Sequence, residues 1–123
     1  MPTQEISSSN WKEFCDRFVE LHRGTLMTVM KVDPSGQSHE VVRDRPLTKA
    51  WMDTGECNDR IFLDFESNGK RELIHEIVEP IHVKLREEAQ GRKGLQIDAE
   101  DGSTLVLFSS GRLQELLSGL KHH

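Results

Sequence analysis

Apolar side chains first recur at helical spacing: Trp11, Phe14, Cys15, Phe18 and His22 share a stripe, with Leu21 beside them. The polar "SSSN" ahead of them supplies caps, and Asn10 with Glu13 three residues later resembles a capping box. Gly24 closes this helix as a C-terminal glycine. A lone helix of this length is marginal in water, so its stripe must face a sheet. After it the period changes. "TLMTVMKV" (25–32) is almost continuously apolar and predicts a central strand. Pro34-Ser35-Gly36 makes a turn, "SHEVVRD" (38–44) returns, and Pro46 ends or frays that strand. Residues 48–59 read as irregular, with Trp51 as a plug on the core. "RIFLDFE" (60–66) alternates, "SNG" (67–69) suits a three-residue loop, and "ELIHEIV" (72–78) is the return strand.

The stretch "LIHEIVEPIHVKL" (73–85) contains two histidines and two glutamates. Pro80 has no N–H for a ladder and biases Glu79 away from helix, so two strands meet here rather than one helix running through. Leu73, His75 and Ile77 share one face, and Ile74, Glu76 and Val78 the other. Beyond the proline, Ile81, Val83 and Leu85 face inward while His82, Lys84 and Arg86 face out. The proposed loop sets His75 opposite Ile61, as a core-edge histidine hydrogen-bonded to a neighbour. In "LQIDAEDGSTLVLF" (95–108), Asp101-Gly102 reads as a primed turn that pairs Ala99 with Thr104, Ile97 with Val106 and Leu95 with Phe108. Leu105 and Leu107 on the other face need cover. A last helix capped at Ser109 or Ser110, carrying Leu113, Leu116, Leu117 and Leu120, supplies it. The expected fold is α+β and mainly antiparallel β. An N-terminal helix, six or seven short strands in a small barrel or curved sheet, and a C-terminal helix make one domain over 1–123, with 1–8 flexible.

Length agrees with that plan: 123 residues suffice for one core without staples. Charge narrows the partners. A net charge of −5, with two tryptophans, five phenylalanines and no tyrosine, weighs against nucleic-acid binding. No apolar run reaches the ~18 residues of a membrane span. There is no basic start followed by an apolar stretch, so no signal peptide is expected. Cys15 belongs to the helix stripe and reads as a buried thiol; Cys57, in "DTGECNDR", reads as an exposed one. Neither has zinc-ligand spacing, and free thiols point to the cytoplasm.

Candidate chemistry is sparse. The fourth residue after His75 is Glu79, so H-E-x-x-H fails. "DPSG" and "GRKG" lack the strand-to-helix context of a phosphate loop. Asp53, Glu56, Asp59 and Asp64 lack the spacing of a calcium loop. No catalytic residue, metal or cofactor is expected. The residues best suited to ligand binding are His75, His82 and Glu76, and His39 lies on a further strand from which it could converge with the two histidines.

Three stretches together resemble a family of small, uncharacterised bacterial proteins known as a domain of unknown function. "WKEFCDRFVELHRG" carries W-x2-F-x3-F-x3-H-x-G, "VVRDRPLTKA" carries R-D-x-P-L, and "VEPIHVKLREEAQGRKGLQIDAEDGSTLVLF" carries P-x-H-V-x-L followed by L-x-I and D-G. The resemblance covers about residues 11–108. It implies a bacterial, cytosolic origin and brings no activity. Trp11, His22, Arg43, Asp44 and His82 fall within its motifs; Trp11 reads as core, and Arg43, Asp44 and His82 join the site candidates, Arg43 and Asp44 as a strand-end ion pair of small worth. The leading expectation is a non-enzymatic binding or protein-interaction module, with a protein partner or self-association. The alternative is a small-ligand or metal-binding domain, possibly an enzyme, using His75, His82 and nearby carboxylates. A small-barrel RNA binder ranks behind both.

Overall fold

The computed structural model describes residues 3–55, 58–67, 71–87 and 92–109. After strand β1 (Thr3–Ile6) and a 3-10 turn (Ser8–Asn10), the chain forms helix α1 (Trp11–His22) and strand β2 (Leu26–Val32). The remaining strands are β3 (Ser38–Thr54), β4 (Asp59–Ser67), β5 (Arg71–Val78), β6 (Pro80–Glu87), β7 (Arg92–Ala99) and β8 (Gly102–Ser109). All eight lie in one sheet of order β1-β6-β7-β8-β2-β3-β4-β5, every neighbour antiparallel. The mainly antiparallel sheet with an N-terminal helix is therefore as expected. The barrel is not: β1 and β5 end the order and do not pair with each other, so the sheet stays open. Residues 3–6, expected within a flexible lead, pair with β6 as an edge strand. The expected C-terminal helix and Cys57 lie outside the described residues.

One long strand explains the shape. β3 runs seventeen residues straight through Pro46, where the sequence suggests an end, and takes in 48–54, which read as irregular. Its first half pairs with β2 and its second with β4. The proline is tolerated because the ladder is already broken there. The β2–β3 register shifts around Val29, Asp44 sits at φ 49, and the β3–β4 register shifts between Leu47 and Lys49. Leu47 holds the bend by donating its N–H to Thr25 O at 3.0 Å and accepting from Gly24 N–H at 2.8 Å. The bend folds β4 and β5 over β6 and β7. Val29, Leu47, Ile61, Leu63, Phe65, Val83, Leu95, Ile97, Val106 and Phe108 are buried in the core.

Helix α1 fills one end of this fold. Trp11, Cys15 and Phe18 are buried and meet Ala50, Ile61, Leu63, Val83, Leu95 and Ile97 around a residual void of only about 10 Å³. Trp11 Nε1 donates to Ile6 O at 2.9 Å, which ties the helix start to β1. The capping box does not form: the Asn10 side chain makes no cap, and the preceding 3-10 turn carries Asn10 N–H to Ser7 O at 2.8 Å. Gly24 does follow the helix in the left-handed region, at φ 86. Leu21 points away, 59% exposed. Burial raises the Cys15 thiol to about 11, with Asp16 adding to the shift, which makes it an inert core thiol.

Two hairpin registers differ from the expected ones by two residues. His75 lies opposite Leu63, not Ile61, and Ile61 opposite Ile77. In the last hairpin Leu95 meets Val106, Ile97 meets Thr104 and Ala99 meets Gly102, so Glu100-Asp101 form the turn. A shift of two keeps every side chain on its face, which is why the core residues were still legible. Ile81 is a different case. The β6–β7 register shifts between Pro80 and His82, and this irregularity leaves Ile81 53% exposed rather than inward. Trp51 is no core plug either: it stacks on Phe62, its cross-strand partner, at 4.8 Å and 11°, and Ala50 takes the buried position beside it.

His22 closes the helix end of the core. Its ring lies 4.9 Å from Phe18 and 4.8 Å from Phe108, with Nδ1 buried and without a hydrogen-bond partner among the described residues. Burial lowers its pKa below 6.5, and Lys93 lowers it further. The folded state therefore favours the neutral ring, while the unfolded chain takes up a proton as pH falls through 6.5. Stability from this site is full above that pH and declines below it. Urea midpoints at pH 7.5 and 5.5 are expected to differ less in His22→Phe than in the parent; equal differences would contradict the assignment.

Candidate functional site

The opposite end of the core is polar. Along the inner face of β2 the positions Met27 and Val29 are buried and apolar, and the next is Lys31. Its cross-strand partners are Thr104 on β8 and His39 on β3. Lys31 Nζ donates to Thr104 Oγ1 at 2.7 Å, and Thr104 is buried. Burial lowers the Lys31 pKa, and the Asp101 carboxylate opposes that shift. His75 belongs to the same region of the interior. Its ring stands edge-on to Phe65 at 5.9 Å, and its pKa is lowered by burial and then by the charge of Lys31.

Lys31, His39 and Thr104 line a cleft of about 160 Å³, together with Glu76, Ile77 and Asp101; His75 stands behind this lining. Its rim carries charge that is already engaged. Glu76 Oε2 accepts from Arg60 Nη1 at 2.6 Å. Asp33 Oδ1 accepts from Ser35 Oγ at 2.6 Å and from the Ser35 and Gln37 amides at 3.0 Å, and the Ser35 hydroxyl is the main cause of its lowered pKa. Lys31 differs: its hydrogen bond goes to a neutral hydroxyl, and among the described residues no carboxylate lies within ion-pair distance of its ammonium.

Of the residues singled out from the sequence, His75 and Glu76 come to this cleft, Glu76 on its lining and His75 close enough to feel Lys31. The other three lie elsewhere. His82 Nδ1 is 2.8 Å from Glu5 Oε2 at the β1–β6 edge. Arg43 Nε reaches Glu40 Oε1 at 2.6 Å. Asp44 exchanges long contacts with Thr28, at 3.3 and 3.4 Å, so the expected Arg43–Asp44 ion pair does not form. Sequence reasoning missed Lys31 and Thr104. The signal was available: a lysine ends the otherwise apolar "TLMTVMK", in step with Met27 and Val29.

Among the described residues no group of three His, Cys, Asp or Glu stands ready to hold a metal ion. No helix among them is long and apolar enough to cross a membrane. No family model matches the sequence, and no curated protein or solved structure matches the chain.

Proposed function

We propose that this protein is a non-enzymatic, cytoplasmic binding domain that holds a small molecule in the cleft between the two halves of its folded sheet. One observation carries the reading: an ammonium and a hydroxyl, Lys31 and Thr104, occupy core-face positions where an apolar pair would pack better. Desolvating an ammonium costs stability, and the neutral hydroxyl of Thr104 offsets only part of that. Polar groups convergent on a small cleft, with shifted pKa values, are the usual marks of a ligand site. The cleft is large enough for a molecule of several heavy atoms.

The test is a thermal-melting screen against small polar metabolites. A ligand at a hundredfold excess over its Kd adds about 2.7 kcal/mol to stability, a rise of several degrees for a domain of this size. The rise is expected to vanish in Thr104→Val. A panel without a single concentration-dependent shift, or one whose hits all survive Thr104→Val, would count against the cleft.

A second reading, a protein-interaction surface, is favoured by the Trp51–Phe62 stack on the outer face of β3 and β4. Glu76, the cross-strand neighbour of Phe62, pairs there with Arg60. Trp and Arg are the residue types that dominate binding hot spots. Self-association through this face predicts a sedimentation coefficient that rises with concentration in the parent and not in Trp51→Ala. A concentration-independent monomer removes the self-association form of the idea.

A further inference from the structure

We infer that the molecule held in the cleft is a small oxyanion, a carboxylate or a phosphate, bound by Lys31 Nζ and the Thr104 hydroxyl. The inference rests on the cleft being a binding site and adds the chemical class of its occupant.

The donor count leads there. An ammonium carries three hydrogens. One goes to Thr104 Oγ1, and Thr104 is the one acceptor the described residues place within its reach. Thr104 in accepting that bond keeps its own O–H to donate. Two N–H donors and one O–H donor therefore converge beside a partly desolvated positive charge. The charged oxygens of an oxyanion accept from all three; an amide or alcohol satisfies fewer and leaves the charge unanswered. The cleft of about 160 Å³ limits the ligand to a compact molecule.

The charges around the site are mixed, and their placement matters. Lys31 comes from β2, His39 from β3 and His75 from β5, while Asp33 and Asp101 stand on the two turns; Glu76 lines the cleft from β5 with its carboxylate turned to Arg60 on the other face of the strand from His75. Glu76 is paired with Arg60, while Asp33 stays ionised on its exposed turn, its Oδ1 already taken up by three hydrogen bonds. Asp101 is the remaining carboxylate, and it acts on Lys31 from beyond ion-pair distance. Lys31 is thus the charge on the core face of the cleft, and the two turn carboxylates stand at its edge. An arriving anion stabilises protonated His75, whose pKa burial and Lys31 hold below 6.5, so it binds more tightly as pH falls toward and below that value, with proton uptake.

The experiment is an NMR titration of the full chain with acetate, inorganic phosphate and, as a neutral isostere of acetate, acetamide. Saturable amide shifts around Thr104 and Lys31 are expected for acetate, phosphate or both, and none for acetamide; which of the two saturates identifies the source. Lys31→Met is expected to weaken that binding at least tenfold. This variant removes a desolvated charge, so it is expected to fold with an undiminished melting temperature; Thr104→Val is the second probe. Oxyanion binding that is unchanged in both variants overturns the inference. If neutral metabolites shift these amides while acetate and phosphate do not, the oxyanion assignment falls and the cleft remains a binding site. If nothing shifts them, both fall.

Discussion

Phe108→Ala is expected to cost about 3–5 kcal/mol, the range for emptying a buried phenylalanine site. That is a large share of the roughly 5–15 kcal/mol that holds a domain of this kind together. Phe108 anchors the C-terminal half of α1 on the sheet. It is buried on β8, meets Phe18 edge-on at 5.4 Å and touches the His22 ring at 4.8 Å. Its removal takes away the edge-on partner of Phe18 and opens the end of the core that the helix closes. Urea denaturation should show a lower midpoint with an unchanged slope, because the same surface is exposed on unfolding. Leu21→Ala is the matched control. That side chain is exposed on the same helix and should shift stability by no more than about 0.5 kcal/mol. Equal losses in the two variants would mean that α1 does not sit on Phe108 as described.

The second large effect is expected from the smallest substitution, Gly102→Ala. Gly102 begins β8 at φ 132, where an L side chain is strained by about 1–3 kcal/mol. A Cβ there would overlap the carbonyl oxygen of Val32 and press on the Cα of Asp33. Both are backbone atoms at the end of β2, so neither can rotate aside, and the overlap adds about 1–3 kcal/mol more. The same strand end carries Lys31, and Ser103, Val32 and Gly102 itself line the cleft. Gly102→Ala is therefore expected to lower the melting temperature by many degrees and also to abolish oxyanion shifts at temperatures where the variant remains folded. Gly36→Ala is the contrast: it has open space around its Cβ position and only its φ of 94 to strain it. A Gly102→Ala protein as stable as the Gly36→Ala protein would refute the close approach of β2 to the start of β8.

Gly102 also shows why local signals mislead here. Asp101-Gly102 is a strong turn pair by local chemistry. In the folded chain the turn falls on Glu100-Asp101, and the glycine answers a long-range need, room for the Val32 carbonyl. Pro46 misleads in the opposite direction. Locally it ends a strand, yet β3 passes through it because the bend is already built from Asp44 and the bonds of Leu47. Ile81 reads as inward by alternation, and an irregularity at the start of β6 turns it to solvent. In each case the deciding atoms belong to another strand or to a break in the ladder, which no local window contains.

The amino-acid order by itself determined the helix stripe of Trp11, Cys15 and Phe18, the antiparallel strands, and the inward faces that bury Ile97 and Val106. Those follow from periods of 3.6 and 2, which survive a register shift of two. Only the tertiary structure decided that the sheet stays open and folds at β3, and that Lys31, Thr104 and His75 share one end of its interior. They come from β2, β8 and β5, and their meeting depends on registers and a bend set by contacts distant in the chain.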